Sequence, residues 1–207
     1  MSDFIIVGGG GHARVVHCVL ETLGHRVTGY TDPDPNSYAE TPYLGTDVFL
    51  TEEPIPKVHD LALGIGKVKT SPGRLVLLEH LQSYGYQFPV IRAKGAIMHQ
   101  GVQSGMGTVV MDGAVVVTGS RLGCACIVNT SATVDHDCLL GDNVHVATGA
   151  ILCGGVSVGD NGMIGAGATL VHGVSLCSDC VIGAGATVLR DIDQPGIYAG
   201  TPARRIK

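Results

Sequence analysis

Every sixth residue from Met98 to Val188 is apolar except Ser104: Met98, Val110, Val116, Leu122, Val128, Val134, Leu140, Val146, Leu152, Val158, Ile164, Leu170, Leu176, Ile182 and Val188. Two places before most of them stands a small or slim residue, among them Ala114, Ser120, Cys126, Ala132, Cys138, Ala150, Gly162, Ala168, Cys180 and Ala186. A period of six matches neither the 3.6 of a helix nor the 2 of a strand, so it must arise from a repeating corner. Fixed short periods mark solenoids, and a hexad marks a parallel β-helix. Each hexad supplies one short strand and one turn, and three hexads close a triangular coil. The large aliphatic side chain fills the interior and the small one lets the corner close. Successive coils pair about 4.8 Å apart, as neighbouring strands do. Much of the glycine falls at hexad corners such as Gly141, Gly159, Gly165 and Gly183, where the expectation is a positive φ that glycine adopts at little cost.

The first 92 residues read differently. Phe4–Val7 is a short apolar strand that stops at Gly8-Gly9-Gly10-Gly11-His12, and Ala13–Leu23 has helical spacing at Val16, Val19, Leu20 and Leu23. Val27–Tyr30 is a second strand ending at Thr31-Asp32, Pro33–Thr46 a loop, and Leu61–Ile65 a third strand closed by Gly66-Lys67. Ser71-Pro72 reads as a helix start, cap then proline, with Leu75, Leu78 and Leu81 buried. Gly85 ends that helix and Phe88–Ile91 is a fourth strand. The expectation is a small Rossmann-like α/β domain with a parallel sheet over residues 1–92, and a β-helix with a C-terminal tail over 93–207. Gly8-x-Gly10-x-x-Ala13 with Asp32 further on matches the dinucleotide fingerprint. Its glycines let backbone approach a phosphate, the helix N-terminus favours negative charge, and the acid can accept a hydrogen bond from a hydroxyl. A tight β-α turn without a ligand reads the same.

Several classes fall away on composition. A net charge of −5 gives no electrostatic footprint for nucleic acid. No apolar run approaches the ~18 residues needed to span a bilayer, and Phe4–Val7 is too short for a signal-peptide core, so the reading is cytoplasmic. Seven cysteines, an odd number, argue against a disulfide framework. Cys124 with Cys126 and Cys177 with Cys180 could be metal-ligand pairs, but alternation and corner placement are expected to aim each pair apart.

The β-helix has few ionisable side chains, so the exceptions stand out: Asp135-His136-Asp137, His145 and His172. His136 is not in a core slot and can face outward. A neutral imidazole there can take a proton from an attacking amine or hydroxyl, and an adjacent carboxylate can orient it.

The stretches GGGGHA near the N-terminus, ALGIGK at 62–67, NTSATVDHDCLLGDNVHVATGA at 129–150 and GIYAGTPARRIK at the end occur in one order in one family. The chain resembles the PglD- and NeuD-like hexapeptide-repeat sugar acetyltransferases over essentially its whole length. The resemblance implies a left-handed prism, a homotrimer, and acetyl-CoA-dependent transfer to a nucleotide-linked amino sugar in clefts between prisms. It assigns His136 as the catalytic base and Asp137 as its partner, where many members carry glutamate. It assigns His145, Gly154, Ala166 and Ala184 to acetyl-CoA, and Gly10, Gly11, His12, Asp32, Gly66 and Lys67 to the nucleotide sugar, with no metal. Pro33 follows Asp32 where relatives often have a second acid. The expected acceptor is the 4-amino group of a 4-amino-4,6-dideoxy sugar, with O-acetylation of sialic acid as the alternative.

Three other readings are weaker. A NAD-dependent oxidoreductase needs two mononucleotide halves, which about 92 residues do not supply. A zinc hydratase of the γ-carbonic-anhydrase type would use histidines across a prism cleft. His136 and His172 lie two coils apart on one face, an expected separation of about 9–10 Å, too far for one metal unless both lean inward. Cys177 also stands where that family has a further histidine. A non-catalytic nucleotide-sugar sensor would not need the His136 motif or the tail.

Overall fold

The computed structural model describes residues 2–38, 40–52 and 58–207. The chain opens with β1 (Asp3–Val7), α1 (Gly11–Thr22), β2 (Arg26–Thr31), β3 (Tyr43–Gly45), α2 (Val48–Glu52), β4 (His59–Leu63) and α3 (Gly73–Ser83). The four strands form one parallel sheet in the order β3-β2-β1-β4. Ile5, Ile6, Val7, Leu61 and Leu63 are buried in it, as expected for a parallel sheet covered on both faces. Two elements depart from the sequence reading. Tyr43–Gly45, within the expected loop, adds a strand beside β2, and Val48–Glu52 adds a short helix. Moreover, Phe88–Val90 is not a strand. Only Ile91–Arg92 is extended, and it pairs with Val109–Val110 in the prism. Proline at 89 removes a ladder donor at that point.

The rest is a left-handed parallel β-helix with three faces. The first face begins at Ile91–Arg92, the second at Ile97–Met98 and the third at Gln103–Ser104. On every face the partner lies 18 residues along the chain: Ile127 pairs with His145, Thr133 with Ile151, Arg121 with Leu139. The hexad residues from Val110 to Val188 are all buried, as are the small residues Ala114, Ser120, Cys126, Ala132, Cys138 and Ala150 beside them. The first face continues into the tail, where Gly196–Ala199 pairs with Cys180–Ile182 and then with Arg204–Arg205 in antiparallel fashion.

The corners correct the expectation about glycine. Positive φ recurs every six residues at Gly113, Gly119, Ala125, Ser131, Asp137, Asn143, Gly149, Gly155 and Asn161, and not at Gly141, Gly159, Gly165 or Gly183. Those four serve a different need. A Cβ on Gly159 would stand 2.5 Å from the Ser178 nitrogen, and one on Gly165 would stand 2.6 Å from the Ala184 nitrogen. Gly141, Gly159 and Gly165 are glycine because the next coil passes too close for a side chain, whereas a Cβ on Gly183 would meet the Ala199 Cβ of the tail at 3.1 Å.

The two halves share a continuous apolar core, in which Phe4, Ile6 and Val16 join the prism interior. Along the corner between the third and first faces, Asn143 Nδ2 donates to the Ser71 carbonyl at 2.8 Å and to Asn161 Oδ1 at 2.9 Å. The N-terminal domain therefore sits on the first face of its own prism.

Candidate active site

His136 stands on the corner between the second and third faces, between Thr133–Val134 and Leu139–Leu140. Its Nδ1 lies 2.9 Å from Asp137 Oδ2, and both side chains are exposed. Asp137 occupies the left-handed corner position at φ 58. Aspartate tolerates that conformation better than most side chains, which gives a local reason for the shorter acid. The hydrogen bond to Asp137, with the charge of Asp135 adding to it, raises the His136 pKa above its usual value. With Nδ1 held by a carboxylate, Nε2 is the ring nitrogen left to take a proton.

Gly154 lies one coil further along the same corner. A Cβ there would stand 2.4 Å from His136 Nε2 and 2.6 Å from Cε1, so the bare backbone is the seat of the imidazole. His172 follows after a further coil, and its ring centroid is 6.1 Å from that of His136. This is closer than the 9–10 Å expected from coil spacing, because the glycine between them lets the rings lean together. Among the described residues no group of three or more His, Cys, Asp or Glu could hold a metal ion.

A second cluster forms on the first face, under the N-terminal domain. His145 is 8% exposed, with Nδ1 2.7 Å from the Lys67 carbonyl and Nε2 3.3 Å from Asn129 Nδ2. Asn129 Oδ1 already accepts from the Thr130 N–H, so its amide donates to Nε2 and the proton of His145 sits on Nδ1. Burial pushes the His145 pKa down to about 4 and that of His12 down to about 3. His12 follows Gly11 at the start of α1, and its Nε2 is buried without a hydrogen-bond partner. Gly11, His12, Gly66, Lys67, Asn129 and His145 line one cavity of about 330 Å³. Lys67 is buried, its ammonium donates to the Asn143 carbonyl, and burial brings its pKa down to about 8.

Sequence reasoning missed Arg74. It is buried on α3 and donates to the carbonyls of Ile65 and, at 3.2 Å, Ala125, tying the loop after β4 to the prism. No sequence spacing points to it, because both acceptors are backbone groups brought together only by the fold. Asp32 is used within the chain: Oδ2 accepts from the Gly9 N–H at 2.7 Å and Oδ1 from the Asp34 N–H at 2.8 Å. Gly10 and Gly11 have open space where a Cβ would be, so the N-terminus of α1 is free to meet a ligand.

The structure thus brings His12, Gly66, Lys67 and His145 together, and separately His136, Asp137 and Gly154. The two sets lie on opposite sides of the prism, since the corner between the second and third faces is opposite the first. Ala166 and Ala184 are exposed on another corner, between the first and second faces.

Residues 3–71 match the PglD N-terminal domain, and residues 155–190 match the hexapeptide repeat of succinyl-transferase. No curated protein sequence matches the chain. The acetyltransferase domain of PglB from Neisseria gonorrhoeae FA1090 superposes with a TM-score of 0.92 at 33% identity, covering 100% of both chains. This chain belongs to the PglD-like hexapeptide-repeat sugar acetyltransferases. PerB from Caulobacter crescentus, crystallised with CoA and GDP-perosamine, has a TM-score of 0.91 at 33% identity over 100% of this chain and 98% of that one. WeeI from Acinetobacter baumannii AYE, at 20% identity and a TM-score of 0.84, shares the fold.

For a sugar acetyltransferase the corner bearing His136 gains meaning from where it ends. Its successive coil positions are His136, Gly154, His172 and Arg190. Arg190 is exposed and, with Tyr198, Arg204 and Arg205, lines a cavity of about 280 Å³ at the tail. No helix among the described residues is long and apolar enough to cross a membrane.

Proposed function

We propose that this enzyme transfers the acetyl group of acetyl-CoA to the 4-amino group of a nucleotide-linked 4-amino-4,6-dideoxy sugar, for surface glycan biosynthesis in the cytoplasm. The observation that carries the reading is the His136–Asp137 pair, exposed at 2.9 Å and seated on the bare backbone of Gly154. The neutral amine attacks the thioester carbonyl carbon. Nε2 of His136 takes the proton that the nitrogen loses, and Asp137 stabilises the imidazolium. As the tetrahedral intermediate collapses, the C–S bond breaks and the CoA sulfur leaves as a thiolate, to which the proton can return. Backbone N–H groups in the cleft stabilise the oxyanion. No covalent enzyme intermediate is needed, because holding both reactants in attack geometry removes much of the barrier.

The nucleotide sugar binds at the other cluster. Its phosphates meet the open N-terminus of α1 at Gly10 and Gly11, with Lys67 and the unpartnered His12 nitrogen beside them. Because the two clusters face opposite ways on one prism, a working site pairs His136 of one copy with the first face of a neighbour. A ring of three closes this single repeated contact. Ile97 and Ile151 on the second face and Leu139 on the third are exposed, which suits burial between copies. Acetyl-CoA lies along the groove, its thioester at His136 and its phosphates toward Arg190, Arg204 and Arg205. Three coils separate His136 from Arg190, roughly 14 Å along the axis at the usual strand spacing. Ala166 and Ala184 then reach the same molecule from the neighbouring copy.

The test is incubation with acetyl-CoA and a panel of nucleotide-linked 4-amino sugars with different bases, following free thiol release. Release with at least one amino sugar, and its loss in His136→Ala, supports the reading. Release only when sialic acid is offered in place of the amino sugars means O-acetylation, and none with any acceptor overturns the assignment.

A further inference from the structure

Cys177 and Cys180 take no part in the reaction above, and their geometry corrects the expectation that they point apart. Their Sγ atoms are 3.5 Å apart and share a thiol hydrogen bond. They are the first and last residues of a hexad corner whose third position, Asp179, has φ 60. Such a four-residue turn brings its end Cα atoms within about 7 Å, and a disulfide spans Cα atoms roughly 4.4–6.8 Å apart. Other buried thiols are held differently. Cys126 Sγ meets the Gly141 carbonyl and Cys138 Sγ meets the Cys153 carbonyl.

We propose that Cys177 and Cys180 are a redox-active dithiol that closes to a disulfide within the turn when it meets a low-molecular-weight disulfide such as oxidised glutathione. Cys177 is half-buried and Cys180 buried, so Cys177 is the point of entry. Its thiolate attacks one sulfur of the small disulfide, forming a mixed disulfide and releasing one thiol. Cys180 then loses its proton and attacks Cys177 Sγ, forming the protein S–S bond and expelling the second thiol. Two protein thiols are oxidised and one small disulfide is reduced to two thiols, so atoms and electrons balance. The turn also seats the segment leading to the tail. Cys177 N–H donates to the Ile192 carbonyl at 2.8 Å, Cys180 pairs with Gly196, and Cys180 Sγ lies 3.6 Å from the Gln194 carbonyl.

The experiment treats folded, reduced protein with oxidised glutathione in a Cys18→Ser background, which removes the exposed thiol, then quenches in acid and maps peptides by mass. The peptide carrying both cysteines should be recovered two hydrogens lighter and free of adduct. In Cys180→Ser the reaction should stop at glutathione bound to Cys177. The proposal is overturned if that peptide stays fully reduced in folded protein while the urea-unfolded chain oxidises. It is equally overturned if Cys180→Ser leaves Cys177 unmodified.

Discussion

Replacing Gly154 by alanine places a methyl group against the imidazole of His136. The added Cβ would stand 2.4 Å from Nε2, 2.6 Å from Cε1 and 2.9 Å from Cδ2. Non-bonded heavy atoms settle at about 3.5 Å or more, so the ring has to retreat by roughly 1 Å. Gly154 is not at positive φ and the ring is exposed, so the backbone accepts alanine and the imidazole swings outward with the fold intact. Misplacing a reacting group by about 1 Å costs on the order of 10²-fold in rate, equivalent to ~2.7 kcal/mol of barrier. The expected result is a kcat lowered about 100-fold, with Tm and the KM for acetyl-CoA close to wild type. Thiol release at saturating concentrations of both substrates and a thermal melt measure the three quantities. A kcat within about threefold of wild type would refute the seating argument. A loss confined to the acetyl-CoA KM would mean that Gly154 serves the cofactor and not the base.

Asp137→Asn removes the group that raises the His136 pKa, so the acid limb of the kcat/KM profile should move to lower pH while kcat falls. An unmoved limb would assign it to another group. His145 and His12 bind protons far more readily in the unfolded chain, where the pKa is near 6.5. Stability is therefore full above that pH and declines as pH falls, through about 4 for His145 and about 3 for His12, with His145 alone contributing ~3 kcal/mol. Denaturant titrations across that range should show the decline, and His145→Asn should flatten part of it. Arg190→Gln should raise the KM for acetyl-CoA about tenfold, a loss of ~1.4 kcal/mol, and leave kcat unchanged. Asp32→Ala should raise the acceptor KM with little effect on acetyl-CoA, and an equal loss for both would misplace the nucleotide.

What could be read from the chain was what repeats or is local. The hexad is written many times over, so the interior from Val110 to Val188 and the triangular coil follow from spacing alone. The glycine loop, α1 and the pair His136-Asp137 are contiguous, and their chemistry shows in a few residues. For the corner glycines, spacing gives a position within the hexad but not the reason for it. Gly155 is needed for its φ and Gly159 for the closeness of Ser178. The approach of His172 to His136 depends on how two side chains tilt across Gly154, and the meeting of Cys177 with Cys180 depends on the path of one corner. Arg74 and the clamp from Lys67 to Asn143 join positions far apart in sequence through backbone carbonyls, for which no residue type is a signal.

The central claim is that His136 and the cavity of His12, Lys67 and His145, on opposite sides of one prism, meet between copies. Subunit mixing tests it most directly. His136→Ala removes the base, and His145→Asn retains a donor for the Lys67 carbonyl while removing Nε2. Each variant alone should be inactive as a homo-oligomer. After reversible dissociation and equal mixing, a quarter of the interfaces in a ring of three should carry one intact copy of each residue, restoring roughly a quarter of wild-type activity. If exchange is confirmed by mass and no activity returns at any mixing ratio, the two histidines do not serve a shared site and the account is wrong.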